Sequence, residues 1–288
     1  MYWKIKEKCD YNHMVWRNGK GKSTQIHIEP NGSTLNDPFI YRISRAVVCT
    51  AGPFSTFDGY NRSLLILKGN RLSLFHRQKP SESIDLDYFK PYNFNGGYET
   101  DSVFIPNTNN GIDEKNNNQQ ILTVANHFID SNCSVSPNSP IYTQQPLIPT
   151  SQSNEIEETY DFSVISKDSE INHKVEVLSF DDDDNDEDID DQENHQISKI
   201  IDLNPSNFVN DSTLIFYSYN SELTFEYIGI ENSRLKVSLL SDQTLIIKEL
   251  SFDQFNPQHT KISITHTKRP IKSEPSKLIY VKIEPKSI

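Results

Sequence analysis

The chain has 288 residues and a formal charge of −12, enough length for one large or two small domains. Eight Asp and two Glu between Asp181 and Glu193, with no Lys or Arg among them, carry −10 of that charge, so the rest of the chain is nearly neutral. Nothing here resembles a basic nucleic-acid footprint, and no apolar run approaches the roughly 20 residues needed to span a bilayer.

In chain order, Met-Tyr-Trp-Lys-Ile-Lys-Glu-Lys at the N-terminus is charged and has no apolar signal core. Gly19-Lys-Gly-Lys-Ser23 is expected to turn into a strand at Thr24-Gln-Ile-His-Ile28. Leu64-Leu-Ile-Leu67 is a short apolar run suited to a strand buried on both faces, and Arg71-Leu-Ser-Leu-Phe75 alternates as a half-buried strand does. Turn signals stand at Lys68-Gly-Asn70 and Asn95-Gly-Gly97. Residues 107–154 then hold ten Asn, five Gln and four Pro, too little apolar surface to offset the entropy of ordering them. Within them, Ile121-Leu-Thr-Val-Ala125 reads as a brief strand or helix. Lys174-Val-Glu-Val-Leu178 precedes the acidic tract, whose self-repulsion favours an extended loop. Strands follow at Leu214–Tyr217, Leu235–Leu239, Leu245–Ile247, Lys261–Thr265 and Leu278–Ile283, with a turn at Asn256-Pro257. Many short strands without sustained helical periodicity imply an antiparallel sandwich or barrel.

Most chemistry-bearing motifs are missing. The Gly-Lys-Ser of residues 21–23 needs a glycine at position 16 to form a phosphate loop, and that position is Trp16. The histidines at 13, 27, 76, 127, 173, 195, 259 and 266 form no H-x-H or H-x-x-x-H pair, so neither metal nor another cofactor is expected. There is no G-x-S-x-G elbow. Cys9, Cys49 and Cys133 are odd in number with no C-x-x-C pair, which fits a reducing compartment, and Cys49 reads as a small buried hydrophobe. Ile271-Lys-Ser-Glu274 and Val281-Lys-Ile-Glu284 match a four-residue lysine-modification pattern that arises often by chance.

Two charges stand apart. Arg42 lies between Tyr41 and Ile43, and Arg62 precedes the apolar run from Leu64, so both sit on or beside core strands. A guanidinium directed into a barrel needs a partner, and its planar fork suits a carboxylate. That partner is either a protein carboxylate in a structural ion pair or a bound anion; a third reading has the residues face water.

The segments Trp16-Arg-Asn-Gly-Lys-Gly-Lys-Ser-Thr-Gln-Ile26 and Phe39 to Gly69 resemble the HutD/Ves family, written W-K-N-G-G-G-x-T-x-E-I and then W-R-I-S-x-A-D-V-x-x-x-G-P-F-S-x-F-x-G-x-x-R. Weaker agreement occurs at Pro91-Tyr-Asn-Phe94 and at Tyr160-Asp-Phe-Ser-Val-Ile165, which resembles the family's D-F-N-V-M strand. The resemblance implies an all-β bicupin: a first cupin over 1–106, a disordered insertion over 107–154, joining strands over 155–180, a disordered acidic insertion over 181–198 and a second cupin over 199–288. It places the arginine matching Arg62 in a pocket, where Arg42, Trp16, Asn18 and Tyr60 would supply charge, an aromatic wall and polar contacts. Four polar positions depart from the family pattern: its Glu is Gln25, its Asp is Val47, its Asn is Ser163, and its Gly-Asp turn is Gly96-Gly97.

The resulting expectation is a cytoplasmic, metal-free protein that binds a small carboxylate and senses or modulates histidine catabolism, a role borrowed by resemblance. The alternatives are a cupin enzyme acting on a small anionic metabolite and an interaction protein using its two insertions. Catalysis is left open, with the balance against it. The expected partner is the carboxylate, without nucleic acid or membrane, and a homodimer is left open.

Overall fold

The structure, a computed structural model, describes residues 2–16, 19–105, 158–180, 197–203, 208–228, 234–250, 261–266 and 275–286. The first half supplies β1 (Tyr2–Lys6), a 3-10 turn at Lys8–Asp10, then β2 (Asn12–Val15), β3 (Gly21–Glu29), β4 (Tyr41–Val48), β5 (Tyr60–Lys68), β6 (Arg71–His76), β7 (Ser83–Asp85), β8 (Tyr92–Asn95) and β9 (Thr100–Ile105). The second half supplies β10 (Thr159–Lys167), β11 (Ile171–Ser179), β12 (Ser198–Asp202), β13 (Ser212–Tyr219), β14 (Leu223–Ile228), β15 (Arg234–Leu239), β16 (Thr244–Leu250), β17 (Lys261–His266) and β18 (Lys277–Pro285). Among the described residues there is no α-helix, so none is long and apolar enough to cross a membrane.

These strands form four sheets: β2-β3-β4-β10-β5-β8, β7-β6-β9, β1-β16-β13-β18-β11 and β12-β17-β14-β15. The apolar run of β5 shows why they stack. Leu64 and Ile66 point to the small sheet, with Leu72, Leu74, Leu86 and Phe94. Leu65 and Leu67 point the other way, against Ile215, Ile246, Ile279 and Val281 of the five-stranded sheet. A strand covered on both faces cannot alternate polar and apolar, which is why Leu64–Leu67 reads as an unbroken run. On the far face of the five-stranded sheet, Leu214, Phe216, Leu245 and Ile247 meet Phe225, Ile262 and Ile264 of the four-stranded sheet. The chain is an all-β bicupin: two barrels, each of one large and one small sheet, packed back to back through the large ones.

The sheets draw on both sides of the chain division expected from the sequence. β1 is the edge strand of the five-stranded sheet, pairing with β16 from Tyr2–Lys248 to Lys6–Thr244. β10 sits inside the first barrel's sheet, between β4 and β5. Three residues later the chain enters β11, the opposite edge of the five-stranded sheet. The acidic tract also ends sooner than expected, because Ser198 already belongs to β12. The expected insertion over 107–154, with its Ile121–Ala125 element, and residues 181–196 lie outside the described residues.

The Val281–Glu284 pattern lies within β18, hydrogen-bonded between β13 and β11. Lys282 there pairs with Glu284 at 3.0 Å and lies over the Phe208 ring, so the strand does not present it as a modification motif. Ile271–Glu274 lies outside the described residues.

Candidate functional site

Cross-strand partners share a face of a sheet, and residues two apart along a strand do too. On the inner face of the first barrel this places Ile28, Arg42, Ile165, Arg62 and Phe94 in one row. The next row is Gln25, Ser44, Ser163, Leu64 and Tyr92, and the third includes Ser23, Ala46, Asp161 and Ile66. Arg42 and Arg62 flank Ile165, with backbones about 10 Å apart across two strand spacings.

Both guanidiniums lean along their strands into the second row. Arg42 donates from Nε to Gln25 Oε1 at 3.0 Å and from one terminal nitrogen to Ser44 Oγ at 3.1 Å. Its other terminal nitrogen is buried without a hydrogen-bond partner, and the residue is only 5% exposed. Arg62 is half-buried and donates from Nε to Ser163 Oγ at 3.3 Å. Its guanidinium lies 4.7 Å from the Phe54 ring centre and 5.6 Å from that of Phe94. These aromatic faces hold the cation without neutralising it.

Asp161, 3% exposed, is the carboxylate that acts on both arginines. It forms no ion pair with either. Burial pushes its carboxyl up to about 6, against the pull of Arg62, the Ala46 backbone and Arg42. Burial likewise lowers both guanidiniums to about 10, opposed by Asp161, so both stay charged at neutral pH. Two cations thus face one carboxylate inside the barrel, and burying a charge without full pairing is costly. The arrangement is chemically suited to a small anion.

The other expected residues are placed unequally. Trp16 donates from its indole nitrogen to Ser23 Oγ at 2.8 Å, at the β3 end of the third row, with Ala46 between Ser23 and Asp161. Its ring lies over Gly21, where a Cβ would come within 2.9 Å of it and 2.5 Å of the Val47 carbonyl oxygen, so this turn is built for close packing. Tyr60 lies two residues from Arg62, but its hydroxyl donates to the Phe39 carbonyl at 2.9 Å and its ring packs on Phe39 and Phe57. It packs in a small apolar cluster with Ile28, Phe39, Phe57 and Ile165. Asn18 lies outside the described residues. Cys49 is partly exposed, with Sγ 3.4 Å from a Glu158 carboxylate oxygen, which corrects the expectation of a buried hydrophobe. Gln25, Ser44, Ser163 and Asp161 belong to the cluster although no motif singled them out as site residues. Gln25 and Ser163 are two of the four positions that depart from the family pattern, and each touches one of the arginines.

A separate groove of about 460 Å³ takes in Thr24, Arg45, Leu67 and Tyr160 of the opposite face and reaches Asp161, but it includes neither Arg42 nor Arg62. Arg45 there is half-buried and already paired: it donates to Asp242 at 2.9 Å and to the Tyr217 hydroxyl at 2.5 Å. Among the described residues, no three His, Cys, Asp or Glu side chains gather as metal ligands would.

Residues 8–109 match the HutD family model. An uncharacterized 21.2 kDa protein in the hutC 3' region of Pseudomonas putida is 37% identical over 75 residues, which are 26% of this chain and 38% of that protein. The structure is similar to that of a conserved protein of unknown function from Pseudomonas aeruginosa PAO1, with a TM-score of 0.61 and 16% identity over 99% of this chain and 100% of that one. It is also similar to HutD from Pseudomonas fluorescens SBW25, with a TM-score of 0.53 and 13% identity over 99% and 100%. At such identities the likeness is one of fold. The chain thus matches the HutD family model over residues 8–109, and its described residues share the fold of HutD.

Proposed function

We propose that the first barrel binds a small carboxylate between Arg42 and Arg62, and that the protein serves as a cytoplasmic metabolite sensor or modulator in histidine utilisation. The observation that supports this reading is the buried, unpartnered guanidinium nitrogen of Arg42, in a cluster holding two cations against one carboxylate. A carboxylate at Arg42 would satisfy that donor and the excess charge together. HutD from P. fluorescens was solved in a formate condition, and the P. putida relative lies in a hutC 3' region, which supports the ligand class and the pathway.

A thermal-shift panel of formate, urocanate and formylated amino acids tests this reading. A ligand at 100 times its dissociation constant adds about 2.7 kcal/mol of stability, a readily visible shift. No shift from any small carboxylate, together with no heat of binding, refutes it.

A second reading is enzymatic, and Asp161 supports it: a buried carboxyl near pH 6 beside an anion site has the properties of a general base. Incubating each ligand that binds and following it by NMR separates the two. Turnover that disappears in Asp161→Asn would establish catalysis, whereas an unchanged ligand leaves binding alone.

A further inference from the structure

Resting on the carboxylate-binding reading, we propose that anion binding in the first barrel is coupled to uptake of one proton by Asp161. The coupling follows from how two buried charges, Arg42 and Asp161, and the half-buried Arg62 share one small volume. Arg42 and Arg62 start in the row of Ile165 and bend into the row of Gln25, Ser44 and Ser163, while Asp161 stands one row further on. The guanidiniums therefore lie in the row next to that of the Asp161 carboxylate, and one donor of Arg42 is still without a partner. Hydrogen bonds to the neutral Gln25, Ser44 and Ser163 fix them there and leave their charge for whichever anions are present.

The charged groups that act on Asp161 are the two arginines, and the groove that reaches it also takes in His13, Lys22, Arg45 and Tyr160. β4 contributes Arg42 and β5 contributes Arg62, both charged; β3 contributes the uncharged Gln25 and Ser23, and Ser163 is its neighbour on β10. His76, from the small sheet, is held by Thr100 Oγ1 at 2.8 Å and the Tyr92 hydroxyl at 3.0 Å. With Asp161 ionised, the free cluster has one surplus positive charge. A bound carboxylate draws on the same two cations that keep Asp161 ionised and adds a second negative charge in a low-dielectric interior, so the proton taken up by Asp161 returns the cluster to the net charge it has when free. Two interacting acids of this kind titrate as a coupled unit, and the anion shifts Asp161 toward its protonated form. The carboxyl already sits near 6 without a ligand, close to neutral pH.

The sign is fixed by linkage. Above about pH 6 the free protein must acquire a proton as it binds, so affinity for an anion falls as pH rises, approaching tenfold per pH unit. Below that pH the proton is already present and affinity levels off. A sensor built this way responds to acidification and to its ligand together.

The experiment uses the full chain and formate, whose own charge does not change between pH 6 and 8. Calorimetric titration at pH 7 in two buffers of different ionisation enthalpy reads proton uptake directly, with close to one proton per formate expected. Asp161→Asn, isosteric and neutral, is expected to bind formate about tenfold more tightly than the wild type at pH 7, without proton uptake and with a flat pH profile. Formate binding with no proton uptake, or the same pH profile in both proteins, overturns the coupling and leaves the carboxylate reading intact. No formate heat in either protein, with no shift from any other carboxylate, overturns both.

Discussion

Arg42 pairs a structural cost with a binding role, and the two separate on mutation. Arg42→Met keeps an unbranched apolar stem, removes an unpartnered buried donor together with the bonds to Gln25 and Ser44, and leaves Arg62 balanced against Asp161. Its melting temperature is expected to equal or exceed that of the wild type, because replacing buried, incompletely paired charge by an apolar side chain is often neutral or stabilising. Its affinity for a carboxylate is expected to drop ten- to a hundredfold, since a charge-assisted hydrogen bond contributes about 1.5 to 3 kcal/mol. Arg62→Ala should lose a similar amount, and Arg62→Lys should recover only part, because an ammonium cannot make the planar two-point contact. Calorimetry and a melt on each variant decide; normal binding by Arg42→Met would place the site elsewhere. His173 gives a second residue-scale outcome. From β11 it bridges the large sheets, bonding Ser63 Oγ at 2.6 Å and Ser166 Oγ at 2.5 Å, and burial lowers it from 6.5 to about 4. Its neutral form contributes stability that is complete above pH 6.5 and is lost as pH falls toward 4, by at most about 3 kcal/mol. Asp161, raised to about 6, contributes in the opposite sense over an overlapping range. The difference between wild type and His173→Gln in chemical denaturation across pH 7 to 4 isolates the histidine: the wild type should lose more stability than the variant.

At the level of elements, the β5–β6 turn decides how β10 enters its sheet. Gly69 has φ +87°, and a Cβ there would lie 1.9 Å from the Glu158 carbonyl oxygen, just where the chain starts β10. Tyr88 also donates its hydroxyl to the Gly69 carbonyl. Gly69→Ala therefore meets backbone strain and a clash with main chain that has no free end to move, and is expected to cost more than about 1 to 3 kcal/mol. A urea melt within 1 kcal/mol of wild type would show that the turn relaxes. The sequence makes this turn legible through Lys68-Gly-Asn70. It does not show what the glycine faces, because Glu158 is 89 residues away. β3 is similar: Gly21 starts it, and the Trp16 ring lying over that glycine comes from the preceding turn.

For the whole molecule, the exchange of strands between halves implies that neither half folds alone. Residues 1–105 lack β10, the strand between β4 and β5, and carry β1 without its partner β16. Residues 158–288 lack β1 and expose the face of the five-stranded sheet that meets Ile26, Ile43, Leu65 and Leu67. Expressed separately, each fragment is expected to lack a cooperative melt. Expressed together, they are expected to associate and to recover the β-sheet circular dichroism of the intact chain. Two fragments that each melt cooperatively would show independent barrels instead. Across the seam, Arg45 of β4 meets Tyr217 and Asp242 of the second half, and Lys8 reaches Asp242 at 2.9 Å, so polar contacts as well as the shared core join the barrels.

The sequence by itself determined the β class, most strand positions and the family segment, because alternation, apolar runs and turn residues are local signals set by the pleat and by backbone sterics. It also singled out Arg42 and Arg62, since a guanidinium beside core strands is anomalous wherever the strands end up. Tertiary structure alone decided that β1 crosses to the second barrel, that Tyr60 has its hydroxyl occupied by the Phe39 backbone, and that Gln25, Ser44, Ser163 and Asp161 surround the two arginines. Those relations depend on strand register between segments up to 246 residues apart, and a register is fixed by which faces become buried together.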